Sequence, residues 1–326
     1  MRIDVHTHAQ PPEYLEALLA SGRYETVRDP SGNLVIREKG SRFLTITEEM
    51  HDTAKRVEDM DATGIDLQII SVTTPQVYFL HDKAAVDLAR TCNDYLADIV
   101  RDYPTRFRAL ASVPLTADSD AAVAEFERCL DDLGMVGAIV GANIDGRPID
   151  DPAFAPFYET LNARQSTMLI HPMVPAGIEV MNQYALAPLV GFMMDTTLAM
   201  SRLIFSGFFD RYPNIRVIAG HLGAAAPYIA GRLDIGYRNY PDCQEIERPP
   251  SDYLKRMFLD TVSFHVPALH CAIETVGADR ILFGSDYPHV IGDITGATAV
   301  IEQSVPADAL SGILGDSAVA LFGIGA

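Results

Sequence analysis

The chain has 326 residues, 48% hydrophobic and 21% charged, which is long for a single sandwich and suits one barrel or two small domains. A formal net charge of −19 argues against nucleic acid and anionic membranes as partners, and no run of about 18 apolar residues offers a membrane span. Residues 1–8 are polar and charged, so no secretion signal is expected there. The widely spaced Cys92, Cys129, Cys243 and Cys271 read as free thiols of a reducing cytoplasm.

Ile3 to His8 reads as a short strand running out into His6-Thr7-His8. Side chains at i and i+2 of a strand share a face, so both imidazoles address one point, a natural arrangement for a transition metal. From Pro11 and Pro12 to Thr47 the pattern changes. Asp29-Pro30-Ser31-Gly32-Asn33 is a turn signal between Tyr24–Val27 and Leu34–Ile36, and it predicts a small β-hairpin insertion, within residues 10–47, that caps one end of the domain. Met50, Ala54, Val57 and Met60 then set a helical period that Gly64 stops.

An alternation follows. Strands are predicted at 66–72, 107–113, 136–140, 167–170, 215–219, 258–262 and 281–283. Helices are predicted at 82–103, 119–133, 152–165, 196–209, 224–237 and 267–276, with a helical tail from Gly296 to Phe322. Eight strands alternating with helices imply parallel pairing, and in about 300 residues they fit a closed (β/α)8 TIM barrel of the α/β class, one domain over 1–326. No Gly-x-Gly-x-x-Gly follows the first strand, which speaks against a dinucleotide fold.

In such a barrel all strand C-termini lie on one face, where active sites are built. His6 and His8 end the first strand, His171 the fifth, His221 the sixth and Asp286 the eighth. Imidazoles plus a carboxylate, with a coordination position left open, describe a catalytic rather than a structural divalent-metal site. Such a metal brings the pKa of its water down towards about 7, and a histidine beside it can pass a proton.

His6-Thr7-His8, Ile170-His171-Pro172, Ala219-Gly220-His221-Leu222-Gly223 and Phe283-Gly284-Ser285-Asp286-Tyr287-Pro288 together resemble the amidohydrolase superfamily. More narrowly they are similar to its aminocarboxymuconate-semialdehyde decarboxylase-like branch. The resemblance implies that His6, His8, His171 and Asp286 bind one zinc, or alternatively manganese, per subunit, and that His221 is the acid–base residue. It also implies a homodimer, in which Arg232 meets the substrate carboxylate in its own or the neighbouring site; the alternative for Arg232 is a surface salt bridge with Asp234. Three departures bear on the substrate. Leu44 stands where the branch has a second arginine, with Arg42 two positions away. Met173 follows His171-Pro172 in a chain without tryptophan. His289 is either a solvated loop histidine or a substrate contact. The function implied is non-oxidative decarboxylation of a small unsaturated or aromatic carboxylic acid. The alternatives are hydrolysis of an amide, lactone or C–C bond at the same site, and a metal-binding protein with a dead site. The loops that select the substrate are 10–47, 73–82, 172–195 and 287–295.

Overall fold

Parallel pairing runs almost unbroken through the computed structural model, which describes residues 1–325. Ile3–His8 pairs with Leu67–Ser71, which pairs with Phe107–Ala109. At Leu110 the third strand changes neighbours and continues as Ala111–Ser112 beside Gly137–Gly141. From there the order is Thr167–His171, Arg216–Ala219 and Phe258–Leu259. The eighth position is an extended segment instead of a regular strand. It joins the seventh at Leu259↔Ile281 and returns to the first at Thr7↔Tyr287. Backbone hydrogen bonds Val5 N to Phe283 O (2.9 Å), Asp286 N to His6 O (3.0 Å) and His8 N to Tyr287 O (2.8 Å) complete the closure.

Two apolar cores follow from the two faces of this ring. Ile3, Val5, Leu67, Ile69, Leu110, Ile139, Leu169, Ile218 and Leu282 form one cluster drawn from nearly every strand, which only the interior of the ring allows. Ala318, Leu321 and Ile324, from the C-terminal helix Ser317–Phe322 and just beyond, pack onto it. The larger cluster lies between the outer strand faces and the helices. Asp82–Asp102, for example, buries Ala85, Leu88, Ala89, Cys92, Leu96 and Ile99 on one stripe at helical spacing.

Besides the eighth strand, two expectations change. The insertion after the first strand is larger than a hairpin. Pro12 opens a helix, Pro12–Ala20, where its fixed φ and missing N–H suit the first turn. A three-stranded antiparallel sheet follows, Glu25–Arg28, Leu34–Glu38 and Ser41–Ile46. Lys39 and Gly40, both with positive φ (49° and 77°), make the tight turn that adds the third strand. The helix predicted at 196–209 runs instead from Phe192 to Phe205 after a π-turn at Ala187–Gly191. It breaks at Gly207, whose φ of 72° ends it, and resumes briefly at Phe208–Arg211. Among the described residues no helix is long and apolar enough to cross a membrane.

Candidate active site

Three of the four histidines at the strand ends, all but His221, are aimed by a partner on one ring nitrogen. His6 Nδ1 lies 2.6 Å from Asp260 Oδ2, His171 Nδ1 lies 3.0 Å from the Pro172 carbonyl, and His8 Nδ1 lies 3.3 Å from Ser71 Oγ. Donation from Nδ1 of His6 and His171 fixes the tautomer that leaves Nε2 with a free lone pair. A register shift between Asp4 and Thr7 bulges the first strand just where its histidines must be aimed. Tight approaches hold the loops around them. A Cβ on Gly284 would stand 3.0 Å from both Asp260 Cβ and His6 Cβ. His221, Leu222 and Asp286 occupy the left-handed region (φ 57°, 57° and 62°), a strain of roughly 1–3 kcal/mol each that the surrounding bonds must overcome.

Asp260, at the end of the seventh strand, is the residue that sequence reasoning missed. Its Oδ2 accepts from His6 Nδ1 and from the His221 backbone N–H (3.1 Å), while Oδ1 accepts from Leu222 N (2.9 Å) and Val262 N (3.0 Å). One carboxylate thus sets both the His6 ring and the strained turn bearing His221. Arg56 was missed as well. It is fully buried, donates to the His8 carbonyl and to Gln68 Oε1 (3.0 Å), and stacks over Tyr287 at 4.8 Å.

The opposite ring atoms converge. His6 Nε2 and His8 Nε2 lie 3.4 and 3.3 Å from Asp286 Oδ1, and His221 Nε2 lies 3.6 Å from Asp286 Oδ2. Ligand atoms of His6, His171, His221 and Asp286 all fall within 4.8 Å of one another. Those of His8, Asp286 and His289 form a second group that shares Asp286. His6 Nε2, His8 Nε2, His171 Nε2, His221 Nδ1 and Asp286 Oδ1 are buried without a hydrogen-bond partner. Orphaned buried polar atoms are costly, and the three Nε2 atoms with Asp286 Oδ1 fit a cation that would satisfy them together. Protonation states agree for His8, His171 and Asp286, whereas His6 is raised: burial alone would lower it, but Asp260, Asp286 and Asp4 outweigh burial. Burial pushes His8 down to about 3, and burial with the neighbouring His8, His6 and His221 rings holds His171 well below its ordinary value. Burial alone would raise the Asp286 carboxyl, but His289, His221 and His8 hold it well below the carboxylate range. Neutral imidazoles and an ionised carboxylate are the forms that ligate.

His171, His221, Asp286 and His289 floor a cavity of about 690 Å3 whose rim includes Arg42, Leu44, Phe192 and Phe264. The family model described as Amidohydrolase matches residues 3–324. The chain belongs to the amidohydrolase family. This amidohydrolase is 36% identical over 288 residues to gamma-resorcylate decarboxylase of Polaromonas sp., covering 81% of this chain and 84% of that protein. It is 30% identical over 301 residues to 2-amino-3-carboxymuconate-6-semialdehyde decarboxylase of Dictyostelium discoideum, covering 90% and 83%. Its fold matches the crystal structure of a dihydroxybenzoic acid decarboxylase from Polaromonas sp. with bound manganese and the inhibitor 2-nitroresorcinol. The TM-score is 0.83 at 30% identity, over 99% of this chain and 96% of that one.

The remaining expected contacts separate. His289 of this amidohydrolase is not a solvated loop residue: its ring packs 4.9 Å from that of His8, its Nε2 lies 2.8 Å from Thr73 Oγ1, and it lines the cavity. Arg42 also lines the cavity, with Nη1 donating to Thr45 Oγ1 (3.0 Å) and the Asp29 carboxylate 3.7 Å away. Arg232 is not brought to the cavity of its own chain. It lies exposed on helix Ala226–Asn239, and the salt bridge with Asp234 does not form, since Asp234 accepts from Ser251 N (2.9 Å).

Proposed function

We propose that this amidohydrolase is a metal-dependent, non-oxidative decarboxylase of a small aromatic or unsaturated carboxylic acid. The observation that carries the reading is the set of four buried, unpartnered ligand atoms, His6 Nε2, His8 Nε2, His171 Nε2 and Asp286 Oδ1, beside a cavity large enough for a substituted benzoic acid. His6, His8, His171 and Asp286 would hold one divalent cation per subunit. Their all-nitrogen-and-oxygen donor set suits zinc or manganese, and the manganese of the Polaromonas decarboxylase supports the second. Bound there, the cation supplies Lewis-acid charge that holds a carboxylate or neighbouring oxygen and offsets negative charge on it.

His221 is the proton donor of this reading. Its ring lines the cavity with Nε2 3.6 Å from Asp286 Oδ2, and it delivers a proton to the carbon bearing the carboxylate. The bond from that carbon to the carboxylate then breaks, its electron pair returns to the ring or diene, and carbon dioxide departs. Asp286 serves both as ligand and as the carboxylate that orients His221. His289 and Arg42 contact the substrate.

The same reading includes a homodimer. Tyr228 and Ile235, 84% and 54% exposed, flank Arg232 on one helical face, and Met194 and Leu198 are further exposed apolar side chains on Phe192–Phe205. Burying that face against a second copy would carry Arg232 towards the neighbouring cavity and its substrate carboxylate. The span of the family match supports one domain, and four free cysteines support a cytoplasmic setting.

The test is incubation of the metal-loaded protein with hydroxybenzoates, muconate-type acids, lactones and amides, following carbon dioxide and absorbance together. Release of carbon dioxide without net addition of water is expected, with about one cation per subunit by metal analysis. Formation of a new carboxylate without carbon dioxide would replace this reading with hydrolysis.

A further inference from the structure

We propose that the acid this site takes carries a single carboxylate and an apolar substituent, and that the wall built by Leu44, Phe192 and Phe264 rejects a second carboxylate. This rests on the decarboxylase reading and narrows its substrate class. The polar groups of the cavity crowd its floor, where His171, His221, Asp286 and His289 lie. The wall above is apolar: Phe43 and Leu44 from the insertion, Phe192 and Met193 from the helix after the π-turn, and Val262 and Phe264 after the seventh strand. Phe43 meets Phe192 edge-on at 5.8 Å and is backed by Tyr24, stacked parallel at 6.1 Å, so the aromatic part of the wall is braced from behind.

Charge decides against a dianion. The lining holds one Arg or Lys side chain, Arg42; Thr45 takes one of its donors and Asp29, 3.7 Å away, offsets its charge, so the contact it makes with the substrate does not balance a second carboxylate. An Arg232 delivered by a second subunit would be committed to the reacting carboxylate. A second carboxylate lodged against Leu44 and Phe192 would give up its water for at most the Thr45 and Ser263 hydroxyls, with no cation of its own in return, in a protein whose net charge of −19 already opposes it. An alkyl group there gains instead, by about fourfold per buried methylene (about 0.8 kcal/mol).

The experiment compares 2-hydroxybenzoates bearing hydrogen, methyl, ethyl or carboxylate at each free ring position. It reads kcat/KM from carbon dioxide release and, independently, Kd by calorimetry with the metal-loaded protein. The best alkyl position is expected to improve both by about fourfold per carbon, and every second carboxylate to weaken both by at least about tenfold. Leu44→Arg should reverse that order by supplying the missing donor. A dicarboxylate that equals or exceeds the alkyl acids in Kd overturns the inference while leaving decarboxylation standing. Alkyl preference in Kd without carbon dioxide from any acid overturns the decarboxylase reading alone. Binding of none of the acids overturns both.

Discussion

Replacing Asp260 by Asn is the most informative single change, because each oxygen of that carboxylate accepts two hydrogen bonds. Oδ2 serves His6 Nδ1 and His221 N; Oδ1 serves Leu222 N and Val262 N. An asparagine of the same shape keeps one acceptor oxygen and must turn its NH2 towards one pair of donors. If the NH2 replaces Oδ2, His6 can only respond by moving its proton to Nε2, which removes the lone pair the proposed metal site needs. If it replaces Oδ1, two backbone N–H groups lose their acceptor and the left-handed His221–Leu222 turn loosens. Changes to carboxylates that orient metal-bound histidines lower metal affinity by about 10–100-fold, here about 1.4–2.7 kcal/mol. Calorimetric titration of metal-stripped Asp260→Asn with zinc and with manganese measures that loss, and far-ultraviolet circular dichroism checks that the barrel remains. Affinity within twofold of the unaltered protein would refute the claim that Asp260 sets the His6 tautomer.

Three further outcomes are expected. His221→Asn retains its metal by elemental analysis but loses carbon dioxide release by about 10²–10⁴-fold; turnover near the original rate would remove His221 from the proton-transfer role. Glu125→Gln, which weakens the buried bonds to Arg128 (2.7 Å), Asn93 (2.8 Å) and Arg90 (3.2 Å), lowers stability by about 2 kcal/mol at neutral pH in urea titration. Burial alone would raise the Glu125 carboxyl, but Arg128, Asn93 and Arg90 hold it below its ordinary 4.5, so its contribution is present above that pH and is lost as pH falls through the lower folded value. The gap between Glu125→Gln and the unaltered protein therefore closes in acid, and a gap that stays constant down to pH 3 contradicts the ion-pair account. Chelation lowers Tm, and returning free metal to 100 times its Kd restores about 2.7 kcal/mol; a Tm indifferent to metal speaks against a bound cation.

The strand-end histidines were legible because a single physical rule, side chains alternating along a strand, puts His6 and His8 on one side, and a parallel barrel puts His171 and Asp286 on the same end. Asp260 obeyed the same rule yet carried no local signal, since an isolated carboxylate at the end of a two-residue strand becomes meaningful only when the fold sets it beside His6. Arg56 was hidden for a related reason. A positive residue on the amphipathic helix Thr53–Thr63 reads as solvated, and only the acceptors it finds in the fold, the His8 and Glu49 carbonyls and Gln68 Oε1, with the Tyr287 ring, make its burial tolerable. The third strand of the insertion hung on Lys39-Gly40, a weaker turn signal than Asp29-Pro30-Ser31-Gly32-Asn33 nearby. Arg232 stands exposed and away from its own chain's cavity, so neither spacing nor a single subunit's geometry brings it to the substrate.

The way the ring closes gives the proposed cation a mechanical role. First and last strands meet through one bridge, Thr7↔Tyr287, and a few backbone bonds, as the seventh and eighth do at Leu259↔Ile281, where most other neighbours share longer ladders. His6 and His8 stand on one side of that junction and Asp286 on the other. A cation held by all three acts as a buckle, fastening residue 6 to residue 286 and removing from the open chain the freedom of nearly its whole length. Stripping it should therefore unzip the barrel at this junction. Amide exchange would rise first at Val5, His8 and Asp286, while the strand Thr167–His171, paired on both sides, stays protected.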